Sequence, residues 1–183
     1  MNPTHKALRA GTAEAHDRVD AAFAAFDLAD RESYAAFLRA HAEVLLPLEA
    51  ALPGERVTPD WEERKRGALL KEDLAFLPKP VHLEPDGESP FDKFPANDDL
   101  SAIAGALYVI EGSRLGGRFL ARQLPRGFPR AYLDADQPSE KWRNLLDRLE
   151  PILYQPAQLQ SALASAHSVF TAFERSARRW AKG

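Results

Sequence analysis

Apolar residues return at intervals of three and four along most of this chain, and no lasting alternation of apolar and polar positions occurs, so the pattern predicts helices and an all-α fold. In the first segment Leu8, Thr12, Ala15, His16, Val19, Phe23 and Phe26 fall on one stripe. Asn2-Pro3 sets its start, an N-cap residue followed by the imino acid favoured in a first turn. Asp30 caps a second helix that turns Tyr34, Phe37, Leu38, His41, Val44, Leu45, Leu48 and Leu52 inward, bends at Pro47 and stops at Pro53-Gly54. A third helix starts at Thr58-Pro59 and runs through Trp61, Leu69, Leu70, Leu74 and Leu77 to Pro78. Pro78, Pro80, Pro85, Pro90 and Pro95 then crowd too closely for regular structure and predict an extended surface connection. A helix from about Asp98 to Leu124 follows, carrying Leu100, Ile103, Ala104, Leu107, Ile110, Leu115 and Phe119 in register. Pro125, Pro129 and Pro138 frame a loop. Ser139 to Leu149 is a short helix, and Gln158 to Trp180 a last long one with Leu159, Leu163, Val169, Phe170, Phe173, Ala177 and Trp180 on its apolar side. No internal repeat is visible, and a single domain over 1–183 is expected.

Two features stand out against this helical background. His16 shares the apolar stripe of the first helix and is expected to point inward. A buried neutral imidazole can bind iron through one nitrogen while the other meets an acceptor that fixes the tautomer, and Asp20, one turn on, is the nearest carboxylate. The alternative is a core histidine hydrogen-bonded to a neighbour. The second feature is the trio Gly112, Gly116 and Gly117 inside the helix that precedes Leu124. Each interior glycine costs a helix about 1 kcal/mol relative to alanine, so the trio costs roughly 3 kcal/mol. Gly112 and Gly116 lie one turn apart on the same face, where bare backbone would let the helix kink over a flat ligand. Tight helix packing is the competing explanation.

Composition narrows the chemistry. With 183 residues, 45% of them hydrophobic, the chain is long enough for a real core. A net charge of -3 gives no electrostatic reason to expect nucleic acid or a strongly anionic membrane as partner. No apolar run approaches the ~20 residues of a membrane span, and Met1 to Gly11 lacks the apolar core of a signal peptide, so a cytoplasmic location is expected. The absence of cysteine agrees, and it excludes disulfides, thiolate-ligated or covalently attached haem, iron–sulfur ligation by Cys and a Cys nucleophile.

The run Leu8-Arg-Ala-Gly-Thr-Ala-Glu-Ala-His16 with Val19-Asp20, the stretch Tyr34-Ala-Ala-Phe-Leu38 and above all Ala106-Leu-Tyr-Val-Ile-Glu-Gly-Ser-Arg-Leu-Gly-Gly117 resemble the haem oxygenases, most closely the bacterial branch associated with phytochromes. The likeness extends from about Leu8 to Arg122 and becomes diffuse afterwards. It implies a helical bundle with haem between the first helix and a kinked glycine-rich helix. His16 would be the iron ligand, Gly112, Ser113, Gly116 and Gly117 the catalytic wall opposite, and Arg9 a cation for a haem propionate, with Asp20 and Gly112 and Gly116 also against the cofactor. It further implies that haem is both cofactor and substrate, hydroxylated at a meso carbon with O2 and electrons from an external donor such as a ferredoxin or flavin reductase. The products would be biliverdin, carbon monoxide and ferrous iron, with phytochrome as a biliverdin acceptor. One departure is Ser113, where many haem oxygenases carry an Asp that orders water; Arg114 or another polar residue could share that role. Only a weak or water-mediated contact between His16 and Asp20 is expected, since a strong one would favour O–O cleavage of the peroxidase kind.

Other residues are candidates for supporting roles. Arg143 or Arg148 could supply a second propionate cation, and Arg114, Arg118 and Arg122 form a stripe that either docks an acidic electron donor or is a solvated face. His41 is a rival ligand or a satisfied core residue, while His5 and His82 are expected to be exposed. Among other functions, a haem or bilin carrier of the same architecture stays open. The thiamin-hydrolysing enzymes of similar fold need the missing cysteine, and a di-iron bundle needs Glu-x-x-His repeats that do not occur here.

Overall fold

The computed structural model describes residues 2–79, 99–136 and 138–182, and among them it holds helices and turns with no strand. Helix α1 spans Pro3–Phe23, with the Asn2 side chain accepting from the His5 amide at 2.8 Å. Helix α2 spans Arg31–Ala51, capped by Asp30 on the Ser33 amide, and it continues through Pro47. Both starts follow from a short polar side chain that satisfies an otherwise orphaned first-turn amide. The proline-rich connection and His82 lie outside the described residues.

The helix predicted from Thr58 to Leu77 is broken in two. Helix α3 covers Trp61–Arg64 and helix α4 covers Gly67–Ala75. The break is imposed from a distance: the buried carboxylate of Glu49 on α2 accepts from the Arg66 and Gly67 amides at 2.8 and 2.9 Å, which starts a new helix there. Gly67 fits because a side chain would collide with that same carboxylate, its Cβ falling 2.7 Å from Glu49 Oε2.

Helix α5, Leu100–Ala121, is helical through all its glycines and is capped by Asp99, which accepts from the Ser101 and Ala102 amides. Helix α6 covers Ser139–Ile152 and helix α7 covers Pro156–Trp180, each longer than its periodicity suggested. The extra turn of α7 comes from Pro156 in its first turn and a reciprocal cap between Gln155 and Gln158.

Helix α7 is the spine. It packs against α1, α2 and α5 and sends Ala162, Ala166, Val169, Phe170, Phe173 and Ala177 into the core. The closest approach is at Gly105 of α5, where a Cβ would stand 2.0 Å from the Ala162 carbonyl oxygen, so only hydrogen is tolerated. Helices α1 and α5 each lean on α7 but make few contacts with one another. No helix among the described residues is long and apolar enough to cross a membrane.

Candidate functional site

The space left between α1 and α5 is a cavity of about 640 Å³, within the usual range for a small-molecule or cofactor site. Its walls are mostly apolar, with Val19, Phe23 and Phe37 on one side, Val109, Leu115 and Trp142 on another and Phe170 and Phe173 below. All seven residues singled out from the sequence, Arg9, His16, Asp20, Gly112, Ser113, Gly116 and Gly117, border this one space.

His16 does not sit in a packed core. Its side chain is 60% exposed, because the stripe of α1 divides: Leu8, Thr12 and Ala15 are buried against other helices, whereas His16, Val19 and Phe23 form a cavity wall. The ring stands edge-on to Phe170, with centroids 6.0 Å apart. Its Nδ1 lies 3.2 Å from Asp20 Oδ2, a direct but exposed contact, the weak one of the two kinds expected, made possible by the i, i+4 spacing. Both groups are solvated, so the contact orients the ring more than it polarises it. Nε2 is left for the cavity.

Across the cavity the glycines divide into two kinds. A Cβ on Gly116 would meet no protein atom within 4 Å, and one on Gly112 would only touch Trp142 at 3.6 Å. No neighbouring side chain or backbone accounts for these two bare positions. Gly117 is different: its Cβ would come within 3.1 Å of the Leu133 carbonyl oxygen, so tight packing explains it. Ser113 Oγ donates to the Ile110 carbonyl at 2.7 Å and accepts from Arg66 Nη2 at 2.9 Å.

Several side chains fall elsewhere than the periodicity indicated. Arg114 does not belong to an exposed basic stripe; it is buried, donating to Glu111 and to the Arg64 carbonyl. Glu111, fully buried, also accepts from Arg64 Nη1 at 2.8 Å, so the Glu and Arg of the Glu-Gly-Ser-Arg block bolt α5 to α3. Arg118 and Arg122 are exposed. Leu115 and Phe119, assigned inward, are 59% and 66% exposed, because α7 and α6 cover the other side of α5; Leu115 borders the cavity and Phe119 does not. His5 is half-buried beside the cavity, its ring edge-on to Tyr108 and Trp142, and burial with Arg9 nearby lowers its pKa. Arg143 and Arg148 are exposed on α6 and do not border the cavity, whereas Arg9 does.

His41 reaches the same space from α2. Its Nδ1 faces the Phe37 carbonyl at 2.9 Å, and since a carbonyl can only accept, Nδ1 carries the proton and Nε2 the lone pair. Burial brings its pKa down to about 4. The Phe23 and Phe37 rings pack on it at 4.4 and 4.5 Å between centroids, with Tyr132 and Phe173 at 5.5 and 5.8 Å, so the imidazole is held in an aromatic cluster.

Arg66, Tyr132 and Trp142 are cavity residues that sequence reasoning missed. Tyr132 is placed by buried Asp73, which accepts from the Ala131 and Tyr132 amides at 3.0 and 2.9 Å. Nothing local in the sequence marks such a link. Among the described residues no group of three or more His, Asp or Glu side chains converges as a bare metal site would require. A single imidazole opposite bare backbone suits a metal that arrives inside a flat ligand with its own equatorial donors.

The sequence model of the family described as Heme oxygenase matches residues 2–179. A protein named "Heme oxygenase" from Xanthomonas campestris pv. campestris (strain 8004) is 36% identical over 153 residues, covering 79% of this chain and 88% of its own length.

Proposed function

The chain belongs to the haem oxygenase family, and from that membership we propose that haem would be held between α1 and α5 with His16 as the residue that binds its iron. It is a haem-degrading oxidoreductase. The observation that carries the assignment of residues is the pair Gly112 and Gly116, whose missing side chains face the cavity and are required by no protein neighbour.

Haem is the substrate as well as the group that supplies iron-centred oxygen chemistry when bound, with O2 and an external reductant as co-substrates and biliverdin, carbon monoxide and ferrous iron as products. The chain's own residues position and shield. Asp20 steadies the His16 ring through Nδ1 and leaves Nε2 to the iron. Gly112 and Gly116 would let the main chain of α5 approach the macrocycle, and Ser113, its hydrogen taken by the Ile110 carbonyl, would add only a hydroxyl oxygen beside that surface. Phe170, Phe173 and Trp142 would exclude water from the bound haem, while Arg9 would offer its charge to a propionate. The electron donor would be a ferredoxin or flavin reductase, for which exposed Arg118 and Arg122 offer positive charge, and a phytochrome is the proposed acceptor of biliverdin. The matched span supports treating 1–183 as one domain.

Titration of the apoprotein with haem tests this. A one-to-one complex with a Soret band is expected, its position shifted in His16→Ala and retained in His41→Ala. An unaltered Soret band and unaltered bilin formation in His16→Ala would overturn the ligand assignment.

A further inference from the structure

Arg66 is 3% exposed yet borders the cavity, and its position is unusually well defined for so long a side chain. Nη2 donates to both Ser113 Oγ at 2.9 Å and the Ile110 carbonyl at 3.1 Å, and the guanidinium carbon lies 4.9 Å from the centroid of the Tyr132 ring. Its neighbours in sequence and space are neutralised: Arg64 by Glu111 and Asp60, Arg114 by Glu111. Arg66 is treated differently. Glu49 takes only its backbone amide, no carboxylate among the described residues pairs with its side chain, and its Nε has no hydrogen-bond partner.

A buried guanidinium without a counter-ion is costly, and an anion in the adjoining space would relieve that cost. We propose that Arg66 is a ligand-binding residue beside the α5 wall, presenting its positive charge and the N–H groups that Ser113 and Ile110 leave uncommitted to an anionic or polarised diatomic or monatomic ligand on the haem iron, with Ser113 and Tyr132 fixing its orientation. The proposal rests on the haem placement above and extends it: where a carboxylate would order water by accepting hydrogen bonds, this chain offers a cation that donates them. Ser113 then serves as the strut that aims the guanidinium, since its own hydrogen is spent on the Ile110 carbonyl.

The test uses fluoride, a small anion that accepts hydrogen bonds, added to the ferric haem complex of the full chain at one pH near neutrality. Its dissociation constant is read from the absorption spectrum in the wild type, Arg66→Met, Arg66→Lys and Ser113→Ala. Loss of one charge-assisted hydrogen bond is expected to weaken fluoride about tenfold in Arg66→Met. Arg66→Lys should recover part of that loss, Ser113→Ala should show a smaller one, and neutral imidazole should bind all four proteins alike. Unchanged fluoride affinity in Arg66→Met overturns the proposal, as does a folded Arg66→Met protein that no longer takes up haem, which would make Arg66 a propionate holder. If Arg66→Met does not fold, the Ser113→Ala result decides, and no change there overturns it. A wild type that forms no haem complex would instead sink the haem placement itself, so the two failures are distinguishable.

Discussion

Replacing Gly116 with alanine separates a glycine kept for the fold from one kept for a ligand. The added methyl meets no protein atom within 4 Å, so the apoprotein incurs no clash. In a helix interior alanine is favoured over glycine by about 1 kcal/mol, part of which arises from the smaller freedom of the unfolded chain. Gly116→Ala apoprotein should therefore be more stable by up to about 1 kcal/mol, a rise of roughly 2–4 °C in Tm for a chain of this size. The haem complex should respond in the opposite sense. A methyl forced against a rigid ring costs about 1–3 kcal/mol, equivalent to a loss of affinity of about fivefold to 150-fold. Thermal denaturation of the apoprotein and Soret titration with haem give the two halves of the measurement. Gly105→Ala is the control: its methyl would lie 2.0 Å from a backbone oxygen of α7, so it should lower apoprotein stability markedly. A Gly116→Ala protein that gains stability and binds haem as tightly as the wild type would refute the assignment of α5 as the wall against the macrocycle.

Three further outcomes are expected. Glu111→Gln leaves the buried Arg64 and Arg114 without their shared counter-charge and should cost about 3–5 kcal/mol in urea denaturation; an unchanged midpoint would show that the network carries no weight. His41 has a folded pKa depressed by burial to about 4, so between pH 6.5 and 4 the unfolded chain takes up a proton that the folded chain refuses, and stability present above pH 6.5 is lost as pH falls through that window. His41→Leu should flatten this slope without removing the contribution of His5, whose shift has the same direction, and an equal slope in both proteins would contradict it. Asp20→Asn should leave haem affinity within a few-fold of the wild type, because the His16 contact is solvated; abolished binding, seen by titration, would mean the carboxylate is essential.

What the sequence made legible was whatever depends on short separations. Asn2 and Asp30 cap their helices because the bonded amides are three residues away, and the stripes of α1, α2 and α7 follow from periodicity alone. Gly112 and Gly116 were conspicuous through their local cost in a helix. What stayed hidden depends on contacts across the fold. Glu49 splits the third helix from seventeen and eighteen residues upstream, and Arg64 binds Glu111 over a separation of 47. Arg66 gives no local sign of lining a cavity, since arginine beside a lysine on a polar stretch resembles solvated surface. His16 shows a further limit: periodicity fixes the face of a helix but does not distinguish a face packed on side chains from one that borders an open space.

The contact of Gly105 with the Ala162 carbonyl sets how closely α5 lies on α7, the helix on which both walls of the cleft lean, and neither residue lines the cavity. Backbone rests on backbone there, leaving no side chain to compress or rotate, so the gap is gauged by a rigid stop. Any atom larger than hydrogen at residue 105 would force α5 off that stop and alter clearance over a tetrapyrrole face without touching any group that meets it. The aperture of the cleft is thereby tied to a site that is not part of its lining.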